Sequence, residues 1–146
     1  MSDKNSCILV AINPDDELDR IAERARNLVH GFNLPLIFIH IIDNDVLFDY
    51  ANSFRLSGLL TGEYKQEEAE KEIMARKLLE EQLKTESHIH ESLEIHSGNR
   101  AETIARFAME RHAEIIVLGQ AEAQFGSVTI HLARYSPCDL HIVKLT

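Results

Sequence analysis

The sequence predicts a single α/β domain, doubly wound, with a five-stranded parallel sheet and helices on both faces. Three observations predict it. Continuous apolar runs rich in β-branched residues recur at 7–12 and 36–42, and a shorter one within 114–119, as in strands buried on both faces of a parallel sheet. Helical segments separate the strand-like ones, so strand and helix alternate along the chain. The 146 residues suit one domain of roughly 100–200 residues, and no internal repeat or low-complexity segment interrupts them.

The first strand is Cys7-Ile8-Leu9-Val10-Ala11-Ile12. Asn13-Pro14-Asp15-Asp16 follows and predicts a helix start, with Asn13 as N-cap, Pro14 at the first helical position and acids in the first turn. Leu18, Ile21, Ala22, Ala25, Leu28 and Val29 form an apolar stripe at helical spacing, and Gly31 suits the stop. The second strand is Leu36 to Ile42. From Asp43 to Gly62 no clean period survives, and a segment of that length in a compact domain is often functional. Gln66 to Thr85 holds neither Gly nor Pro and reads as a helix. Its face is Ala69, Ile73, Ala75, Leu79 and Leu83, with Met74 and Leu78 further round. A third strand lies within His88 to His96. Asn99 and Glu102 make a capping-box-like pair opening a helix whose Ile104, Ala105, Ala108 and Met109 face inward. Glu114 to Gly119 is the fourth strand, Ser127 to Tyr135 a short helix, and Asp139 to Leu145 the fifth strand.

Charge narrows the function. Fifteen basic against twenty-four acidic side chains give a net charge of -9, and no Lys/Arg cluster is present, so nucleic acid and anionic membrane are poor partners. No apolar run approaches the ~18–20 residues of a membrane span, and Met1 to Asn5 lacks the charged-then-apolar layout of a signal peptide. A cytoplasmic protein is expected. The two cysteines, Cys7 and Cys138, each adjoin an apolar run and read as reduced core residues.

In open α/β sheets ligands bind beyond the carboxyl ends of the strands. The loop after strand one, Asn13 to Glu17, has neither Gly-x-Gly-x-x-Gly nor Gly-Lys-Ser/Thr, which removes dinucleotide and P-loop readings. A phosphate-accepting receiver domain would need an Asp after strand three, where His96-Ser97-Gly98 stands. The second loop, Gly119 to Ser127, carries glycine at both ends and leads into a helix start, where backbone N–H groups can hold an anion.

Taken together, ILVAI (8–12), LIFIHII (36–42), SGNRAETIARFAMERHAEIIVLG (97–119) and CDLHIVKL (138–145) make the chain similar to a universal stress protein domain over nearly its whole length. Ser97, Gly98, Ile104 and Ala108 carry the most specific string. The resemblance implies strand order 3-2-1-4-5 and a homodimer. The family divides into members that bind ATP and members that do not. Binders carry Gly, two residues, Gly, nine residues, then Gly-Ser/Thr after strand four. Here Gly119 matches the first glycine, but Glu122 stands at the second. The closing pair would fall just past His131 and stands instead at Gly126-Ser127, six residues short. An acid beside a triphosphate is unfavourable without a metal. The chain therefore resembles the universal stress protein A branch, which lacks the motif, and no cofactor is expected. Under the alternative, ATP with Mg, the resemblance implies Ala11, Asn13, Gly119, Gly126 and Ser127 as the binding residues.

His88, His90 and His96 have even spacings and would share one face of strand three, yet nothing supplies a fourth ligand, and no metal is expected. His40 reads as a satisfied buried imidazole. Ser127 lacks a Gly-x-Ser-x-Gly elbow and reads as a helix N-cap, so no enzyme is expected. With the implied strand order the last strand lies at the sheet edge. Its Leu140, Ile142, Val143 and Leu145 make that edge apolar. An uncovered apolar edge is an aggregation hazard, and pairing with its own copy across a two-fold axis removes it. The expected protein is thus a non-enzymatic stress-response or regulatory homodimer joined through its last strand, with a further protein partner left open.

Overall fold

The computed structural model describes residues 6–14, 17–43, 59–85, 88, 90–121 and 124–145, and for 59–68 the backbone alone. Five strands, β1 (Cys7–Ala11), β2 (Leu36–Ile42), β3 (Glu91–Ser97), β4 (Ala113–Gln120) and β5 (Asp139–Lys144), alternate with four helices among the described residues. The helices are α1 (Leu18–Phe32), α2 (Leu59–Leu83), α3 (Arg100–Glu110) and α4 (Ser127–Tyr135). Every strand pair is parallel and the order is β3-β2-β1-β4-β5, as the resemblance implied. No helix among the described residues is long and apolar enough to cross a membrane.

Period-two alternation divides the sheet into two buried faces. Ile8, Val10 and Phe38 pack with Ile21, Ala22, Ala25, Leu79 and Leu83 of α1 and α2. Leu9, Ile37, Ile39 and Ile41 pack with Ile104, Phe107, Ala108 and Leu132 of α3 and α4. Both faces are covered, which is why these strands are apolar throughout rather than alternating. Cys7 is buried and Cys138 half-buried, and both are free thiols.

The structure corrects several local expectations. Asn13-Pro14 does not start the first helix: α1 begins at Leu18 behind Glu17, which supplies no side-chain cap bond. Positions 13–17 hold no apolar side chain to bury, and a first turn without packing does not repay its nucleation. At the other end Gly31 stays helical, and the left-handed residue is Asn33 (φ 53°), whose N–H donates to the Val29 carbonyl.

α2 starts seven residues before the expected Gln66, and only Ala75, Leu79 and Leu83 of its expected face reach the core. Ala69, Ile73, Met74 and Leu78 are exposed. Apart from Asp43 and 59–62, the 43–62 segment lies outside the described residues.

In α3 the inward positions are Ala101, Thr103, Ile104, Phe107 and Ala108, while Met109 is exposed. The Asn99 cap holds, its side chain accepting from the Glu102 N–H at 3.0 Å. Ser127 is not a cap: Gly126 occupies that position and gives no side-chain bond.

The two edges of the sheet differ. β3 carries Glu91, Glu94 and His96, with Glu91 and Glu94 in ion pairs to Arg26 and Arg111. β5 runs Asp139-Leu140-His141-Ile142-Val143-Lys144, with Leu140 and Ile142 half-buried. Val143 and Leu145 are 3% and 5% exposed and belong to the chain's own core.

Candidate functional site

The strand order reverses direction of growth between β1 and β4, and a cleft opens there, at the carboxyl ends of the strands. Ala11, Ile12 and Asn13 follow from β1 and form one wall. Leu118 and Gly119 of β4 form another, and Ile39 and Ile41 of β2 supply apolar floor. Two helices aim their first turns at the opening: α3 through Arg100 and Ile104, and α4 through Val128 and Thr129. The enclosed volume is about 100 Å³.

Backbone pairing sets the walls. The Ile12 N–H donates to the Ile39 carbonyl at 2.9 Å and so holds the chain in line with β2 one residue past β1. The imidazole Nδ1 of buried His40 donates to the Ile12 carbonyl at 2.9 Å. A ring nitrogen facing a carbonyl must carry the proton, so His40 supports the wall and offers no base at that atom. On the far side, Leu145 N–H donates to the Gln120 carbonyl at 2.9 Å. Lys144 Nζ donates to Gln120 Oε1 at 2.7 Å and lies 5.6 Å from the Phe125 ring centroid.

Of the five residues the resemblance implied for a nucleotide, the structure brings together Ala11, Asn13 and Gly119. Gly126 and Ser127 are exposed and do not line the cleft; the next residues of α4, Val128 and Thr129, do. Glu122 lies outside the described residues. Gly119 has a packing reason of its own. A Cβ there would meet Ile21 Cδ1 and Leu145 Cδ1 at 2.9 Å, so glycine lets α1 and the end of β5 close over β4.

Sequence reading missed Arg100 and Thr129. Thr129 is 9% exposed. Arg100 opens α3 directly after its cap, and its Nε is buried with no hydrogen-bond partner. The available signal was a cation in a first helical turn, where the macrodipole favours acids.

The three histidines read as one face of a strand are not brought together. His90 has φ 66°, a turn residue that stops the alternation, and His88 precedes it; only His96 stands in β3. Among the described residues no group of three His, Cys, Asp or Glu side chains could hold a metal ion.

A doubly wound sheet with a cleft at its topological switch defines a ligand-site class of α/β protein rather than an activity. Comparison with known sequences supplies the family. The profile of the Universal stress protein family matches residues 5–144, and the chain belongs to that family.

No protein of curated function matches it. Among solved structures it is similar to the universal stress protein UspA from Lactobacillus plantarum (18% identity, 97% of this chain and 99% of that one, TM-score 0.58). It is also similar to a universal stress protein in complex with cAMP (17%, 97% and 98%, TM-score 0.61). A third is the universal stress protein from Archaeoglobus fulgidus in complex with dAMP (19%, 95% and 98%, TM-score 0.54). At these identities the likeness is one of fold.

Proposed function

We propose that this chain is a non-enzymatic, cytoplasmic stress-response protein that acts as a homodimer through β5, in the manner of the universal stress protein A branch. The observation that carries this is the open edge of β5. On that edge the strand's outward N–H and C=O groups have no neighbouring strand among the described residues, while Leu140 and Ile142 stay half-buried at the surface. A second copy paired across a two-fold axis would satisfy the backbone and cover both side chains. Val143 and Leu145 serve the fold instead, so the pairing surface is the strand backbone with Leu140 and Ile142. Free thiols at Cys7 and Cys138 fit a reducing compartment.

Light scattering at micromolar concentration tests the assembly. A particle of twice 16.6 kDa is expected, and Ile142→Lys should halve it with the melting temperature nearly kept. A wild-type particle of 16.6 kDa overturns the reading.

A second reading is supported by the cleft and by the cAMP and dAMP complexes of two structural neighbours: the cleft takes an adenine mononucleotide. At about 100 Å³ it falls below the ~300–1,000 Å³ of drug-sized sites, and the Gly119–Ser127 loop is six residues short of the binders' spacing. Both weigh against tight binding of Mg-ATP. A ligand that binds only the native state raises the melting midpoint. A rise with millimolar AMP and none with Mg-ATP is therefore expected; a larger rise with Mg-ATP would make the chain an ATP binder.

A further inference from the structure

Arg100 is the residue in the cleft whose position local structure explains least. It occupies the first position of α3, behind a satisfied Asn99 cap. The helix dipole disfavours a cation there. No carboxylate among the described residues pairs with it, and its Nε is buried without a hydrogen-bond partner. A buried donor left unmade is costly, and a guanidinium is charged at every relevant pH. An acceptor entering the cleft that the residue lines would satisfy this Nε, and an anion would also answer its charge.

The surroundings agree. α4 reaches the same cleft with Val128 and Thr129, and its Gly126 cap makes no side-chain bond, so its first-turn N–H groups are further donors near the opening. Thr129 adds a buried hydroxyl, and Asn13 adds an amide. The volume accommodates several waters, or one compact tetrahedral anion.

We propose that Arg100 is the anion anchor of this cleft and that the cleft takes a phosphate group through this fixed cation, with no metal ion needed. This deepens the second reading above, on which it rests: the ligand class is a phosphate monoester of the size of a mononucleotide. A guanidinium fork binds two phosphate oxygens at once.

Calorimetric titrations in EDTA test it, with AMP, adenosine and inorganic phosphate as probes. The wild-type chain should bind AMP at least about tenfold tighter than adenosine, as expected for a charged hydrogen bond, and inorganic phosphate should compete with AMP. Arg100→Gln should abolish the AMP preference while leaving adenosine binding unchanged, and Arg100→Lys should retain part of it. Because its buried Nε has no hydrogen-bond partner to lose, the ligand-free melting temperature of Arg100→Gln should fall little.

Equal binding of AMP and adenosine by the wild type overturns the proposal and leaves the nucleotide reading standing, a comparison that needs no variant. Undiminished AMP preference in Arg100→Gln does the same. Failure to bind any of the three probes overturns both.

Discussion

Cys7 lies 2% exposed on the central strand, its Sγ 3.6 Å from the Arg111 carbonyl oxygen as donor. Burial, opposed mainly by the Arg111 charge, pushes its thiol up to about 11, and burial also raises Cys138. The sign follows directly. The folded chain holds the Cys7 proton more tightly than the unfolded chain, whose thiol titrates near 9. Stability from this residue is thus complete below pH 9 and falls as pH rises towards 11, by about 2–3 kcal/mol in all. Urea unfolding between pH 8 and 11 should show that loss in the wild type and a shallower one in Cys7→Ala. A disulfide with Cys138 does not compete for the thiol. β4 stands between β1 and β5, and two strand spacings of about 4.8 Å exceed the ~7 Å Cα limit for a bridge.

At the scale of elements, one guanidinium holds three together. Arg26 of α1 donates through Nε and Nη2 to the two carboxylate oxygens of Glu91 at 2.9 Å each. Its Nη2 also donates to the Leu83 carbonyl at 2.8 Å, near the end of α2. The Glu91 side chain is 8% exposed and that of Arg26 27%. Removing one partner leaves the other charge largely desolvated, so Arg26→Ala or Glu91→Ala should each cost about 2–4 kcal/mol in urea unfolding. The double variant should cost clearly less than their sum.

This clamp was invisible in the sequence because its partners are 65 residues apart. Local signals did better. The continuous apolar runs placed β1 and β2, and Asn99 with Glu102 placed the start of α3. Where propensity and packing disagree, packing decides. Asn13-Pro14 has good starting chemistry but nothing to bury, and α1 waits for Leu18. Ile73 and Met74 have helical spacing yet stay exposed, while Ala75, Leu79 and Leu83 of the same helix reach the core. The cleft was half legible. Ala11, Asn13 and Gly119 follow from strand ends, whereas Arg100 reaches the same place from α3, a proximity that only the fold creates.

For the whole molecule, the even-odd division of β1 and β2 between two cores makes the middle of the sheet its most protected part. Hydrogen exchange should be slowest in β1, β2 and β4, which have neighbours on both sides. β5 is the informative strand. If the chain pairs through it, every second β5 amide, pointing away from β4, should exchange slowly in the wild type and quickly in Ile142→Lys. Fast exchange of those amides in both would speak against a paired edge.

The unequal edges have one further consequence. β3 is the polar margin, with Ser92 exposed and Glu94 and His96 partly so, while β5 ends in half-covered Leu140 and Ile142. A sheet with two receptive margins would add copies indefinitely and grow into a filament. If two copies join through β5, one receptive and one polar margin would leave no growing end, and assembly would stop by itself at a ten-stranded sheet. In such a particle the polar strand β3 would set the size, as the leucine and isoleucine of β5 would set its existence.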